Sequence, residues 1–367
     1  MSGAERVKVM VAMSGGVDSS VAAYILKEEG YDVVGVTLRL WIDPVAEELA
    51  GDEARGCCSL EAVNDARMVS AQLGIPHYVL NMQEEFLQDV VGNFTAEYLQ
   101  GRTPNPCVEC NRTIKFSYLI RKASGLGIDK IATGHYARIE YDSTTDLYRL
   151  YRGLDRQKDQ SYMLYVLGQN ELKATLFPLG MKTKQEVRKI AEQQEFKVAD
   201  KAESQEICFI PDNDYRAFLE RQNPDTLSPG NIISTEGLIL GRHHGIAFYT
   251  VGQRKGLGLT TAEPYYVLKI DADKNEIVVG PVSETYCRGL IAENLNFIAG
   301  NPFLEPFEVD LKVRYRAAAI KAFLFPPDNS LARLEFEKPQ KSVTPGQSAV
   351  FYRGEEVLGG GIIKEVL

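Results

Sequence analysis

Val7-Lys8-Val9-Met10-Val11-Ala12-Met13-Ser14-Gly15-Gly16-Val17-Asp18-Ser19-Ser20 is the stretch on which the fold turns. An apolar run of strand length from Val7 to Ala12 meets a polar, glycine-rich turn, and helical spacing follows from about Ser19 to Glu29. Glycine tolerates positive φ and lets backbone N–H groups approach an anion, so Gly15 and Gly16 suit a turn that closes around phosphate. Ser14, Ser19 and Ser20 add hydroxyl donors, and the helix N-terminus adds the positive end of its dipole. Asp18, a carboxylate beside a polyphosphate, makes chemical sense with a Mg²⁺ ion between them. The lysine of a Walker A loop is missing, which rules out a P-loop NTPase.

Outward from this turn, apolar runs and helical patterns alternate. Val33–Leu38, His77–Leu80 and Ile131–Thr133 read as further strands, and Leu60–Leu73 and a segment through Phe86, Val90 and Phe94 as helices. Such alternation predicts a parallel sheet covered by helices, which binds ligands beyond the C-terminal ends of its strands. With 367 residues the chain has room for two or three domains. Past Pro211 helical patterns thin out and turn signals recur, so residues 211–285 read as a β-rich central domain and 286–367 as a C-terminal β-barrel, with 1–210 as the α/β domain that carries the phosphate turn. Phe307, Val309, Leu311, Val313 and Tyr315 fall on one face of an expected strand, and Lys312, Arg314 and Arg316 on the other. That basic face, and the Arg254-Lys255 pair, suit phosphate contacts despite a net charge of −9. No apolar run is long enough to span a membrane, and the start reads as a buried strand, so a cytoplasmic location without a membrane partner is expected.

The string S-G-G-x-D-S resembles the PP-loop of the N-type ATP pyrophosphatases, whose fold is of the adenine nucleotide alpha hydrolase type. That resemblance implies that ATP is split at the α-phosphate, a substrate oxygen is adenylated and pyrophosphate leaves. The cysteines narrow the reading. There are six, too few for a disulfide scaffold at this length. Cys57, Cys58 and Cys287 read as buried thiols. Cys107 and Cys110 stand in the loop Gly101-Arg102-Thr103-Pro104-Asn105-Pro106-Cys107-Val108-Glu109-Cys110-Asn111, which its two prolines stiffen. Cys208 follows in Ser204-Gln205-Glu206-Ile207-Cys208-Phe209-Ile210. A lone C-x-x-C without a second pair is not a structural zinc site.

Over essentially its whole length the chain resembles the bacterial tRNA-specific 2-thiouridylases. The motifs are S-G-G-V-D-S-S, R-T-P-N-P-x-x-x-C-N (Arg102 to Asn111), I-K-F (Ile114 to Phe116), A-T-G-H-Y-A-R (Ala132 to Arg138), K-D-Q-S-Y (Lys158 to Tyr162), I-C-F-I (Ile207 to Ile210), Y-T-V-G-Q-R-K-G-L-G (Tyr249 to Gly258) and V-R-Y-R (Val313 to Arg316). The resemblance implies that Ala12, Met13, Ser14, Gly15, Gly16, Val17, Asp18 and Ser19 hold the ATP phosphates, with Leu38 and Gly134 flanking the adenine. It implies that Asn105, Pro106 and Cys107 meet the target uridine, and that Lys158, Asp159, Gln160, Arg314 and Tyr315 hold the tRNA. Cys110 aligns with the catalytic cysteine and Cys208 with the cysteine that carries persulfide sulfur, supplied by a sulfur donor protein.

The implied chemistry is adenylation of uridine O2 followed by its replacement with sulfur. Cys110 either frees sulfide from the Cys208 persulfide first or resolves the S–S bond after attack on C2; both orders end in a Cys110–Cys208 disulfide. Many relatives carry Asp where this chain has Cys107. The triplet Cys107, Cys110 and Cys208 therefore opens a second reading, a 4Fe–4S cluster with one iron left for exogenous sulfide. Two rival functions are a PP-loop ligase using an amine nucleophile and a tRNA-binding protein without catalysis.

Overall fold

The computed structural model describes residues 6–45, 48, 60–199, 201, 207–210, 212–223, 227–260, 263–300 and 303–367. Cys57, Cys58 and Ser204 to Glu206 lie outside the described residues. The chain divides into two compact units, one of residues 1–90, 107–214 and 355–357, the other of residues 91–106, 215–354 and 358–367.

The first unit is built on a parallel sheet. Strands β1 (Lys8–Ala12), β2 (Asp32–Arg39), β3 (His77–Asn81) and β4 (Lys130–Ala132) are joined by a two-residue strand at Thr175–Leu176, in the order β3, β2, β1, β4 and that fifth strand. Val9, Met10 and Val11 are buried because β1 lies between β2 and β4 with both faces covered, as the apolar run from Val9 to Ala12 predicts. Helix α1 (Val17–Glu28) lays Val17, Val21, Ala22 and Leu26 into that core, beside Val187 and Ala191 of the helix Lys184–Gln193. The expected helix at Leu60–Leu73 forms over those residues. The fifth strand escapes sequence reading because two residues carry no periodicity. The hairpin Ala137–Asp142 with Leu147–Arg152 was also not expected; Glu356 and Val357 pair with its second strand.

The long helices of this region are not uniform. The segment expected through Phe86 and Phe94 is α-helical at Gln83–Phe86, π-helical at Leu87–Val91 and α-helical again at Gly92–Leu99. The cysteine segment repeats the pattern: α at Pro106–Cys110, π at Asn111–Tyr118, α at Leu119–Gly125.

The second unit holds two β structures. Gly230–Ser234, Ile239–His243, Tyr266–Asp271 and Glu276–Gly280 make a four-stranded sheet in which the first and last strands run parallel. Tyr286–Phe297, Phe307–Lys312, Ile320–Leu324, Ala332–Lys341, Ser348–Arg353 and Glu356–Val366 make a barrel, closed where the first of these strands pairs with the last. Leu290, Val309, Leu311, Leu324, Leu334, Phe351 and Ile363 fill it. The strand expected to run through Tyr315 stops at Lys312. Beyond it the chain turns, with the Ala317 N–H donating to the Arg314 carbonyl at 3.2 Å, and the Arg314 guanidinium donates to the Ser342 carbonyl and, at 3.0 Å, to Thr344 Oγ1. Arg314 and Arg316 are thus exposed loop residues, not one face of a strand.

Candidate active site

The phosphate turn is held by its own side chains. Ser19 Oγ accepts from the Ser14 N–H at 3.1 Å and donates to the Gly16 carbonyl at 3.1 Å, while Ser20 Oγ donates to the same carbonyl at 2.9 Å. Gly15 takes φ +68°, and a Cβ there would lie 2.2 Å from the Ala62 carbonyl oxygen. Gly16 does not share that conformation: at φ −107° it is the extended N-cap of α1, without a side-chain cap. The first N–H groups of α1 therefore have no side-chain acceptor at the N-cap, the arrangement an anion site needs. At the end of β1, Thr37 Oγ1 donates to the Met13 carbonyl at 2.8 Å and lies 2.9 Å from His77 Nε2, fixing the entry to the turn.

A cavity of about 210 Å³ opens here, lined by Ala12, Met13, Ser14, Asp18, Ser19, Leu38, Leu40, Lys115, Thr133, Gly134, His135 and Gln160. Seven residues expected to hold ATP, namely Ala12, Met13, Ser14, Asp18, Ser19, Leu38 and Gly134, meet around one space. Gly15, Gly16 and Val17 shape the turn without lining the cavity. Gly134 is required by close approach, since a Cβ there would lie 2.9 Å from Ser19 N. Gln160, expected at the tRNA, lies on the cavity wall, its Oε1 accepting from the Tyr136 N–H at 3.0 Å. Asp159 is buried and its carboxylate accepts from the Gly153 and Ser161 N–H groups, each at 3.1 Å, and from the Ser161 hydroxyl. Its side chain stabilises a turn, and Lys158 beside it is half-buried.

Asp18 differs from expectation. Both of its oxygens accept from Lys184 Nζ at 2.7 Å, and Oδ1 also accepts from the Tyr136 hydroxyl at 2.7 Å. A carboxylate so occupied does not fit the metal-bridging role read from the sequence.

Leu40, Lys115, Thr133 and His135 went without a role in the sequence reading, although I-K-F and A-T-G-H-Y-A-R contain three of them. The available signal was topological: the residues after β4 emerge at the same sheet edge as the phosphate turn. His135 is buried between Phe116 and Phe177, with ring centroids 5.9 Å from each, and its Nδ1 lies 2.7 Å from Thr133 Oγ1. Burial, and then the charge of Lys115, push its pKa well below the ordinary imidazole value, so the ring is neutral at pH 7.

The three cysteines singled out in the sequence differ in exposure: Cys107 is exposed, Cys110 buried and Cys208 half-buried. Glu109 pairs with Arg112 at 2.6 Å, and Asn111 Nδ2 donates to the Met163 carbonyl at 3.0 Å. Among the described residues no three His, Cys, Asp or Glu side chains come together as a metal-holding group. Cys287, expected buried, is half-buried, and desolvation pushes its thiol up to about 11.

In the second unit, the loop before Cys107 is clamped. Arg102 bridges Glu97 and Glu293, both at 2.7 Å. The Thr103 N–H donates to the Pro345 carbonyl at 2.9 Å, and Gln347 Nε2 donates to the Thr103 carbonyl at 2.8 Å. Asn105 and Pro106 end this segment.

A parallel sheet whose first strand delivers S-G-G-V-D-S-S to the edge of a cavity defines the class: an ATP-binding PP-loop domain. Residues 7–212 match the family described as tRNA methyl transferase HUP domain, 216–281 its PRC-barrel domain, and 287–363 the aminomethyltransferase beta-barrel domain. The chain is 52% identical over 362 residues to the tRNA-specific 2-thiouridylase MnmA of Carboxydothermus hydrogenoformans, covering 99% of each. It is 51% identical to the protein of the same name from Natranaerobius thermophilus, covering 97% of each. A solved 4-thiouridine synthetase–RNA complex with bound ATP is 18% identical, with TM-score 0.32 over 60% of this chain and 51% of that one. The chain belongs to the tRNA-specific 2-thiouridylase family. Among the described residues no helix is long and apolar enough to cross a membrane.

Proposed function

We propose that this protein is an ATP-dependent tRNA-uridine 2-sulfurtransferase that adenylates O2 of the wobble uridine and replaces it with sulfur. The observation that carries the reading is the single cavity shared by the phosphate turn, Leu38 and Gly134, in a chain of the thiouridylase family.

Uridine O2 attacks the α-phosphorus, forming an O–P bond as the bond to pyrophosphate breaks. The Ser14 hydroxyl and the first N–H groups of α1 bind the phosphates. The terminal sulfur of a persulfide on Cys208 then adds to C2, and AMP departs with the former O2. The Cys110 thiolate attacks the inner, Cys208 sulfur; the S–S bond breaks, its electron pair stays on the C2-bound sulfur as a thiocarbonyl, and a Cys110–Cys208 disulfide forms. Two electrons from an external thiol reopen that disulfide, and a persulfide-carrying donor protein reloads Cys208. No step passes through a metal cluster.

The buried Cys110 suits a resolving thiol kept from bulk oxidants. Asn105, Pro106 and Cys107 are assigned to the target base, which must leave the anticodon stack to present C2. Exposed Arg314, with Tyr315, is assigned to the tRNA, as are Lys158 and Gln160. Mass spectrometry of tRNA incubated with protein, ATP and a persulfide source tests the reading: 2-thiouridine forms with the native chain and is lost in Cys110→Ser and Cys208→Ser. ATP turnover without 2-thiouridine, undiminished in Cys110→Ser, would instead favour an amine-using ligase.

A further inference from the structure

We propose that Asp18 is a positioning residue and not a ligand of the cation that accompanies ATP: with Tyr136 and Lys184 it fastens the phosphate turn to the cavity wall that carries Gly134 and Gln160. The assignment rests on the function proposed above, in which ATP occupies this cavity. The sequence suggests Asp18 beside a polyphosphate with Mg²⁺ between them. The structure gives the carboxylate other partners. Lys184 Nζ lies 2.7 Å from each of its oxygens, and the Tyr136 hydroxyl lies 2.7 Å from Oδ1.

The chemistry of this pair argues against a metal on Asp18. The ammonium ion bridges both oxygens, so the side from which a carboxylate grips a cation bidentately is taken. A divalent ion on either oxygen would stand next to a positive charge that repels it. Moving Lys184 aside would take a buried ammonium ion from its carboxylate. The pair has a use without a metal. Asp18 lies in the first turn of α1, where a carboxylate suits the helix dipole. Beside a polyphosphate that same charge would repel the ligand, and Lys184 offsets it.

Each partner of Asp18 is itself anchored. Lys184 opens the helix Lys184–Gln193, where Thr183 Oγ1 accepts from the Glu186 N–H at 3.3 Å and the Lys184 N–H donates to Asp155 Oδ2 at 2.9 Å. Tyr136 is buried and follows Gly134 and His135 in the chain. Its N–H donates to Gln160 Oε1 at 3.0 Å, and its carbonyl accepts from the Gln160 N–H at 2.9 Å. The Tyr136 backbone thus holds Gln160 while its hydroxyl holds Asp18. Gly134 adds a close approach: a Cβ there would lie 2.9 Å from the Asp18 carbonyl carbon and 3.1 Å from Asp18 Cβ. A nucleotide with its phosphates on the turn and its adenine against Gly134 touches both sides of this junction, whereas adenosine touches one. The Tyr136–Asp18 bond therefore fixes the separation that ATP has to match.

Calorimetric titration of the full-length protein with ATP and with adenosine tests this role. Tyr136→Phe keeps the buried ring and removes only the hydroxyl. ATP affinity should then fall by about three- to tenfold, while adenosine affinity holds within about twofold. The Mg²⁺ concentration that half-saturates ATP binding should stay within about twofold of the native value in Tyr136→Phe and in Asp18→Asn alike. A rise of about tenfold or more in Asp18→Asn alone would make the carboxylate a metal ligand and overturn the proposal. Unchanged ATP affinity in Tyr136→Phe would overturn it too, whatever the urea midpoint does, because the bond would then serve only the fold. So would a parallel loss of ATP and adenosine binding, which would mark a deformed pocket. Absence of 2-thiouridine formation by the native protein would count against the proposed function alone, leaving the ATP–adenosine contrast and the Mg²⁺ dependence to decide Asp18.

Discussion

The phosphate turn and the loop before Cys107 look alike in sequence, each a short polar stretch whose path is set by glycine or proline, yet they are held in different ways. The backbone of Ser14 to Ser20 is tied by short-range hydrogen bonds, through Ser19 and Ser20 to Gly16 and Ser14, and only the Asp18 side chain is held from afar, by Lys184 and Tyr136. Arg102 to Pro104 are fixed from far along the chain, by Glu293, Pro345 and Gln347. A turn whose backbone is tied locally keeps most of its chemistry in its motif, which is why it can be read locally. A loop clamped from outside has a motif that records only half of the arrangement.

The strongest test of this contrast is Gly15→Ala. The substitution puts a methyl group 2.2 Å from the Ala62 carbonyl at φ +68°, so the turn must open. ATP affinity measured by calorimetry should fall by about a hundredfold or more, the loss of several charge-assisted hydrogen bonds, with the barrel unaffected. Retained ATP binding would show that the closed conformation of the turn is not what holds the phosphates.

Gly346→Ala attacks the other member of the pair. Gly346 has φ +90°, and a Cβ there would meet Thr103 N at 2.7 Å. Thiolation of tRNA should fall by about tenfold, as expected when a positioning segment shifts by a fraction of an ångström, while ATP affinity stays within about twofold. A matching fall in ATP affinity would break the comparison, because the loop and the turn would then act as one element.

These substitutions also mark what the sequence could tell. The sheet was legible because Val7 to Ala12 and Val33 to Leu38 are apolar runs bounded by turn signals, and buried parallel strands need little more. The strand through Tyr315 was misjudged because alternation continues past Lys312 although the ladder does not; the Arg314 side chain turns to Ser342 and Thr344, which no local pattern encodes. At the site, Gly134 was legible through its motif, whereas the partner of Asp18 was not. Lys184 begins a helix far downstream and reaches Asp18 only through the packing of that helix on α1.

That pair supplies an intermediate effect. Lys184 is buried, and Asp18→Asn would leave its ammonium ion without its carboxylate. The loss of stability in urea denaturation should be about 2 kcal/mol, less than for a fully buried pair because the Asp18 side chain is 31% exposed. An unchanged midpoint would mean that the ion pair does not stabilise the fold.

The smallest effect concerns His135, which has a local partner in Thr133 but owes its burial to the distant rings of Phe116 and Phe177. Its folded pKa lies well below 6.5, so from that depressed value up to about 6.5 the unfolded chain binds a proton that the folded chain refuses. Stability must therefore rise with pH through this window and level off above it. One histidine can contribute at most about 1.4 kcal/mol per pH unit. His77 and His243 are shifted in the same direction by burial and add to the slope in any variant that keeps them. Replacing His135 with Asn, whose amide can still meet Thr133, removes one proton's share of the slope and leaves theirs. Urea denaturation from pH 5 to 7.5 should give a shallower pH dependence for His135→Asn than for the native chain, with the two curves parallel above pH 7. Coincident slopes below pH 6.5 would mean that the imidazole takes up its proton in the folded state, and that the cavity wall opens far enough to hydrate it.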